Sequence, residues 1–97
     1  MTTIDVGCAP TPDGWRCAVT IDDGHGRSTH DVTVSTDDAT DLAAATDPAD
    51  VERLVYETMA FLLERESKES ILRTFDLTVV GGYFPEFEAE IRSRLAP

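Results

Sequence analysis

Ninety-seven residues with 41% hydrophobic content, nineteen acids, eight bases and a formal charge of −11 describe one small acidic domain spanning residues 1–97. That balance excludes a protein whose main task is gripping nucleic-acid phosphates, because such binding needs an extended basic footprint. No apolar run approaches the ~20 residues needed to cross a bilayer. Residues Met1 to Val6 show neither a positive n-region nor a long apolar h-region. The chain is therefore expected in the cytoplasm, with no nucleic-acid and no membrane partner.

Ile4, Val6 and Cys8 alternate with Asp5 and Gly7, which is the period-2 pattern of a strand. Pro10, Pro12, Asp13 and Gly14 form a concentrated turn signal. A second alternating run places Trp15, Cys17, Val19 and Ile21 on one face against Arg16, Ala18 and Thr20 on the other. Asp22-Asp23-Gly24-His25-Gly26 is the next turn. His30, Val32 and Val34 then share a face opposite Asp31, Thr33 and Ser35. Residues 1–35 thus read as a three-stranded antiparallel meander with one apolar face.

Residues 36–47 are small, polar and acidic and read as a connection, with at most a helical turn begun by Asp37 or Asp38 and carrying Leu42. Residues 48–97 read as helical. Asp47-Pro48 is a cap followed by proline at the first helical position. Val51, Leu54, Val55, Thr58, Phe61 and Leu62 form a stripe at helical spacing, widened by Met59 and Leu63. This long helix is expected to lie across the apolar face of the sheet. Ser67 reads as the cap of a short helix through Ile71, Leu72 and Phe75. From Phe75 to Phe84 both periods are present, and a helix capped by Asp76 competes with a strand. Pro85 opens a last helix with Phe87, Ile91 and Leu95 on one side. Its early glutamates and late Arg92 and Arg94 suit the helix dipole. The fold class is α+β.

The acidic excess admits a solvated face, high-salt adaptation, a basic partner or mimicry of a nucleic-acid backbone. Eleven acids are Asp, and Lys68 is the one lysine. They scatter over loops and helix ends, which disfavours mimicry.

Chemistry-bearing residues are sparse. A turn near residue 12 puts Cys8 and Cys17 nearly opposite each other, as a cross-strand disulfide, half a metal site or two free buried thiols. Free thiols are expected in a reducing compartment. His25 and His30, with Asp22, Asp23 and Asp31, form the one N/O cluster. It lacks the alternating oxygens of a calcium loop, and no nucleophile stands at triad spacing. Tyr83, Phe84 and Phe87 concentrate aromatic area around Pro85, as a plug for the core or as an anchor at an interface.

The strings Phe61-Leu62-Leu63-Glu64-Arg65-Glu66, Ser70-Ile71-Leu72, Phe75-Asp76-Leu77 and Tyr83-Phe84-Pro85-Glu86-Phe87 resemble those of a family of small uncharacterised bacterial proteins, over residues 50–91. The resemblance implies no activity and no site residue. It implies that Phe61 to Phe87 behaves as one structural unit, and that 76–84 is helical.

The leading expectation is an accessory or interaction domain that binds a protein partner or a second copy of itself, without a cofactor. Its expected contact patch is Tyr83, Phe84 and Phe87, rimmed by Glu86 and Glu88. The competing expectation is a small metal-dependent or hydrolytic enzyme using His25, His30 and the nearby aspartates.

Overall fold

Alternation of apolar and polar side chains lets a sheet bury one face and wet the other. In the computed structural model, which describes residues 1–96, the first third of the chain does this. The strands β1 (Thr3–Thr11), β2 (Gly14–Asp22) and β3 (Arg27–Ser35) pair as an antiparallel meander. Cys17, Val19 and Ile21 of β2 and His30, Val32 and Val34 of β3 are buried on the inner face. Arg16, Ala18 and Thr33 are exposed on the outer one.

The meander acquires a fourth strand. β4 (Thr74–Asp76) pairs in parallel with β3, so the order is β1-β2-β3-β4 and the sheet is mixed, not purely antiparallel. Phe75, expected in a short helix after Ser67, lies instead opposite Val32 in this strand. The segment behind Ser67 holds only a 3-10 turn, Lys68–Ser70.

Four α-helices complete the α+β fold of the described residues: α1 (Thr36–Ala43), α2 (Pro48–Leu63), α3 (Thr78–Tyr83) and α4 (Phe87–Leu95). Within the stretch 36–47, expected as a connection with at most a helical turn carrying Leu42, α1 is a full helix over Thr36–Ala43. The Ser35 hydroxyl accepts from the Asp38 N–H at 3.1 Å, and Asp37 and Asp38 sit at the positive end of the helix. Its buried apolar residues are Ala39 and Leu42, too few to produce a periodic signal.

Helix α2 starts as expected, with the Asp47 carboxylate accepting from the Asp50 N–H at 2.9 Å. It buries Val51, Leu54, Val55, Thr58, Met59, Phe61 and Leu62, packing on the sheet chiefly through β1. Both readings of residues 75–84 hold in part. The chain is extended through Asp76, whose carboxylate then accepts from the Thr78 N–H at 3.1 Å and opens α3. Pro85 lies in a turn, and α4 begins at Phe87. The layers meet at the fully buried Phe61, whose ring takes the Phe87 and Phe84 rings edge-on at 5.3 and 5.7 Å. The Arg65 guanidinium lies 3.5 Å from its centroid.

Two features secure the first hairpin. Gly14 lies opposite Ser35, where an added Cβ would collide with the Val34 carbonyl and come within 2.8 Å of Ser35 Cα and Thr36 N. This close approach lets the Thr36 N–H donate to the Asp13 carbonyl at 3.1 Å, tying the hairpin turn to the start of α1. The register also sets Cys8 opposite Cys17, and the two are joined in a disulfide with Cα atoms 4.0 Å apart. The expectation of two free buried thiols is thereby corrected. Facing residues on one side of a hairpin bring their sulfurs within bonding reach, whatever compartment was assumed. The Cys8 N–H donates to the Glu52 carboxylate of α2 at 2.9 Å, and Pro10 has no N–H to offer. The outer edge of β1 is thus blocked against further strand pairing at both positions.

Gly14→Ala should lose more than about 1 kcal/mol in urea unfolding, because backbone has to move. Gly7→Ala, with nothing within 4 Å of its added Cβ, should stay within about 0.5 kcal/mol of wild type. Equal losses in both would show that the tight approach at Gly14 does not exist in solution.

Reduction of Cys8–Cys17 should lower stability by about 2–3 kcal/mol through the released loop entropy of the unfolded chain. Thermal melts with and without a dithiol reductant, alongside thiol counting in denaturant, check this. Two titratable thiols before any reductant is added would overturn the pairing.

Candidate functional site

The N/O cluster of the second turn resolves into a structural pin. Asp22 accepts from the Gly24 N–H at 2.9 Å, and Asp23 accepts from the N–H groups of His25 and Gly26 at 2.9 Å each. Gly24 takes φ 85°, which glycine adopts without strain. The second Asp23 oxygen lies 2.7 Å from Lys68 Nζ, which also meets Glu69 at 2.8 Å. Lys68 chiefly, then the His25 N–H, holds the Asp23 carboxyl well below the usual carboxylate range. Asp23 in turn raises Lys68.

The structure does not bring the two histidines together. His25 is exposed in the turn, whereas His30 is buried on β3. His30 Nδ1 lies 2.7 Å from the Leu72 carbonyl, so that nitrogen carries the proton and donates. Its Nε2, 2.9 Å from the Ser28 hydroxyl, is then the acceptor. Both ring nitrogens are engaged. Asp31 is paired with Arg16 at 3.5 Å on the outer face. Among the described residues no three His, Cys, Asp or Glu side chains form a group that could hold a metal ion.

The aromatic cluster divides. Phe87 is 1% exposed and belongs to the core, Phe84 is half-buried, and Tyr83 is 70% exposed. Glu86 is paired with Arg65 at 3.6 Å, and Glu88 with Arg92 one helical turn away on α4. Neither carboxylate borders the feature that Tyr83 and Phe84 help to form. That feature is an apolar groove of about 390 Å³ between the end of α2, the 3-10 turn, β4 and α3. Its walls are Leu62, Ile71, Leu72, Phe75, Val79, Val80, Tyr83 and Phe84, with Glu66 and Ser70 as the polar contributors.

Leu72 is the site residue that sequence reasoning missed. The sequence places it in a short helix and gives it no role in a site, yet it is 51% exposed on the groove wall. Its carbonyl is the acceptor that His30 holds, and the next residue's carbonyl accepts from the Asp31 N–H at 2.7 Å. Leu72 is therefore presented from a fixed backbone. The buried polar histidine was the available signal, since such a ring must have a partner, but nothing local shows that the partner is Leu72.

Among the described residues no helix is long and apolar enough to cross a membrane. Comparison of the chain with known protein families, with curated proteins and with solved structures finds no match in any of the three. No ligand, partner or reaction therefore reaches this chain from a relative.

Acid should dissolve the pin in a defined window. Asp22 is lowered by the Gly24 N–H and then Arg27, Asp23 by Lys68, and Glu64 by Arg94. Depressed carboxylates contribute stability that is present above their unfolded values of 3.8 and 4.5 and is lost as pH falls through the folded ones. Lys68 works the other way. Its raised value contributes below the unfolded 10.5 and fails only as pH climbs past the folded value. Melting temperature should hold at neutral pH and fall below about pH 4. Lys68→Met should flatten the part of that slope due to Asp23. An unaltered acid slope in the variant would show that the pin is absent in solution.

Proposed function

We propose that this protein is a small acidic interaction domain that works by receiving a segment of a partner protein in its apolar groove. The observation that carries this reading is the pairing of two exposed apolar side chains with a concave apolar surface. Leu72 at 51% and Tyr83 at 70% exposure stand on the walls of the same groove. Isolated exposed apolar residues are ordinary. Two that flank a cleft lined by Phe75, Val79 and Phe84 offer a partner side chain a place to be buried from several sides. Full burial of a Leu-sized side chain stabilises by about 1.5–3 kcal/mol.

Rigidity supports the same reading. A wall held by the His30–Leu72 bond and by strand pairing at Asp31 loses little conformational entropy when a partner docks.

A photo-crosslinking residue at position 72, in protein exposed to lysate of its source cells, should yield a defined protein adduct that Tyr83→Ser removes. The same probe at Thr20, on the outer sheet face, should not yield it. Identical adducts from both positions would overturn the reading. Leu72→Asp should melt within a few degrees of wild type, since it alters an exposed side chain. Phe87→Ala should cost about 3–5 kcal/mol as a core truncation. A large stability loss in Leu72→Asp would return the groove to the core.

A further inference from the structure

The groove carries one carboxylate, and its state says what the occupant must bring. Glu66 is half-buried on the groove lining. Among the described residues its side chain has neither a hydrogen-bond partner nor an ion pair. Its acidic neighbours are all engaged. Glu64 meets Arg94 at 2.6 Å, Glu86 meets Arg65, Glu69 meets Lys68, and Asp76 accepts from Thr33 at 2.9 Å. The two cations that flank it in sequence are engaged as well. Arg65 is stacked on Phe61 between Glu64 and Glu86, and Lys68 is held by Asp23 and Glu69. Neither can turn to Glu66 without giving up partners it already has.

We infer that the occupant is a basic amphipathic segment of another protein, whose apolar side chains fill the groove and whose Lys or Arg pairs with Glu66. The inference rests on the groove being a docking site. It adds the sign of the partner's charge and the residue that reads it. A carboxylate bordering an apolar cleft loses water when the cleft is filled, and that loss is offset only if the incoming group is cationic. A second copy of this chain would bring another −11 charge and another unpaired Glu66 to the contact. A cationic segment is instead drawn in by the whole field of the domain.

Two synthetic helical peptides with the same Leu and Phe anchors, one carrying Lys and the other Glu at the remaining positions, form the test. Binding is read by fluorescence anisotropy at low and moderate salt. The Lys peptide should bind the wild-type protein at least about ten-fold tighter than the Glu peptide. Glu66→Gln should weaken it about five-fold, the scale of a partly exposed ion pair. Asp41→Asn removes the same unit charge from α1, outside the groove lining, and should weaken it less. Leu72→Asp should abolish binding of both peptides.

Equal affinity for the two peptides, or equal effects of Glu66→Gln and Asp41→Asn, would overturn the basic-partner inference and leave the groove as a docking site. Failure of both peptides to bind wild type, or binding that survives Leu72→Asp, would overturn the docking site itself. A concentration-dependent dimer in sedimentation that Leu72→Asp removes would replace the basic partner with a second copy. Glu66→Gln should melt as wild type does, because the lost carboxylate has no partner to forfeit.

Discussion

The segment from Lys68 to Leu77 is tied to the β2–β3 turn and to β3 at several points, and the groove exists because of those ties. Lys68 bonds Asp23 in the β2–β3 turn, and His30 holds the Leu72 carbonyl. The Asp31 N–H donates to Arg73, and the Leu77 N–H donates to the Thr33 carbonyl at 2.9 Å. A neutral hydrogen bond contributes about 1 kcal/mol, so no single tie holds the segment. Together they oblige the chain to run beside β3 as a parallel strand. Parallel pairing needs a long crossover, and α1 and α2 supply it. With β4 in place, α3 has to start beside the end of α2, and the cleft between them is the groove.

Packing and charge answer different problems in this molecule. The core is closed by Phe61, against which Phe84, Phe87 and Arg65 assemble, so α2, α4 and the α3–α4 turn converge on one ring. Part of the acidic excess is absorbed where backbone N–H groups are free. Asp22 and Asp23 cap a turn, Asp47 caps α2, and Asp76 opens α3. Charges used in this way fix local geometry. Among the described residues Glu66 shares its lack of a side-chain partner with Asp37 and Asp41, but it is the one carboxylate on the groove lining.

How much of this was legible follows from the range of each interaction. The three long strands and α2 announce themselves through side-chain period and through caps two or three residues from the groups they satisfy. Helix α1 shows in the sequence as no more than a turn carrying Leu42, because two buried residues suffice to dock it, and its cap, Ser35, also ends a strand. The sequence shows Tyr83, Phe84 and Phe87 as one aromatic concentration around Pro85. Their division into core, wall and exposed rim was not legible, since neighbours in sequence there point in different directions.

By itself the sequence determined an α+β chain with an antiparallel meander, a capped long helix, a strongly acidic charge and an aromatic concentration near Pro85. Each of these is a property of composition or of residues within a few positions of one another. Tertiary structure alone decided that β4 joins the sheet in parallel, that Leu72 faces outward and that Glu66 is left without a partner. The bond from His30 to Leu72 spans 42 residues, and that from Lys68 to Asp23 spans 45. Contacts at such separations depend on how whole elements pack, and no local periodicity records them.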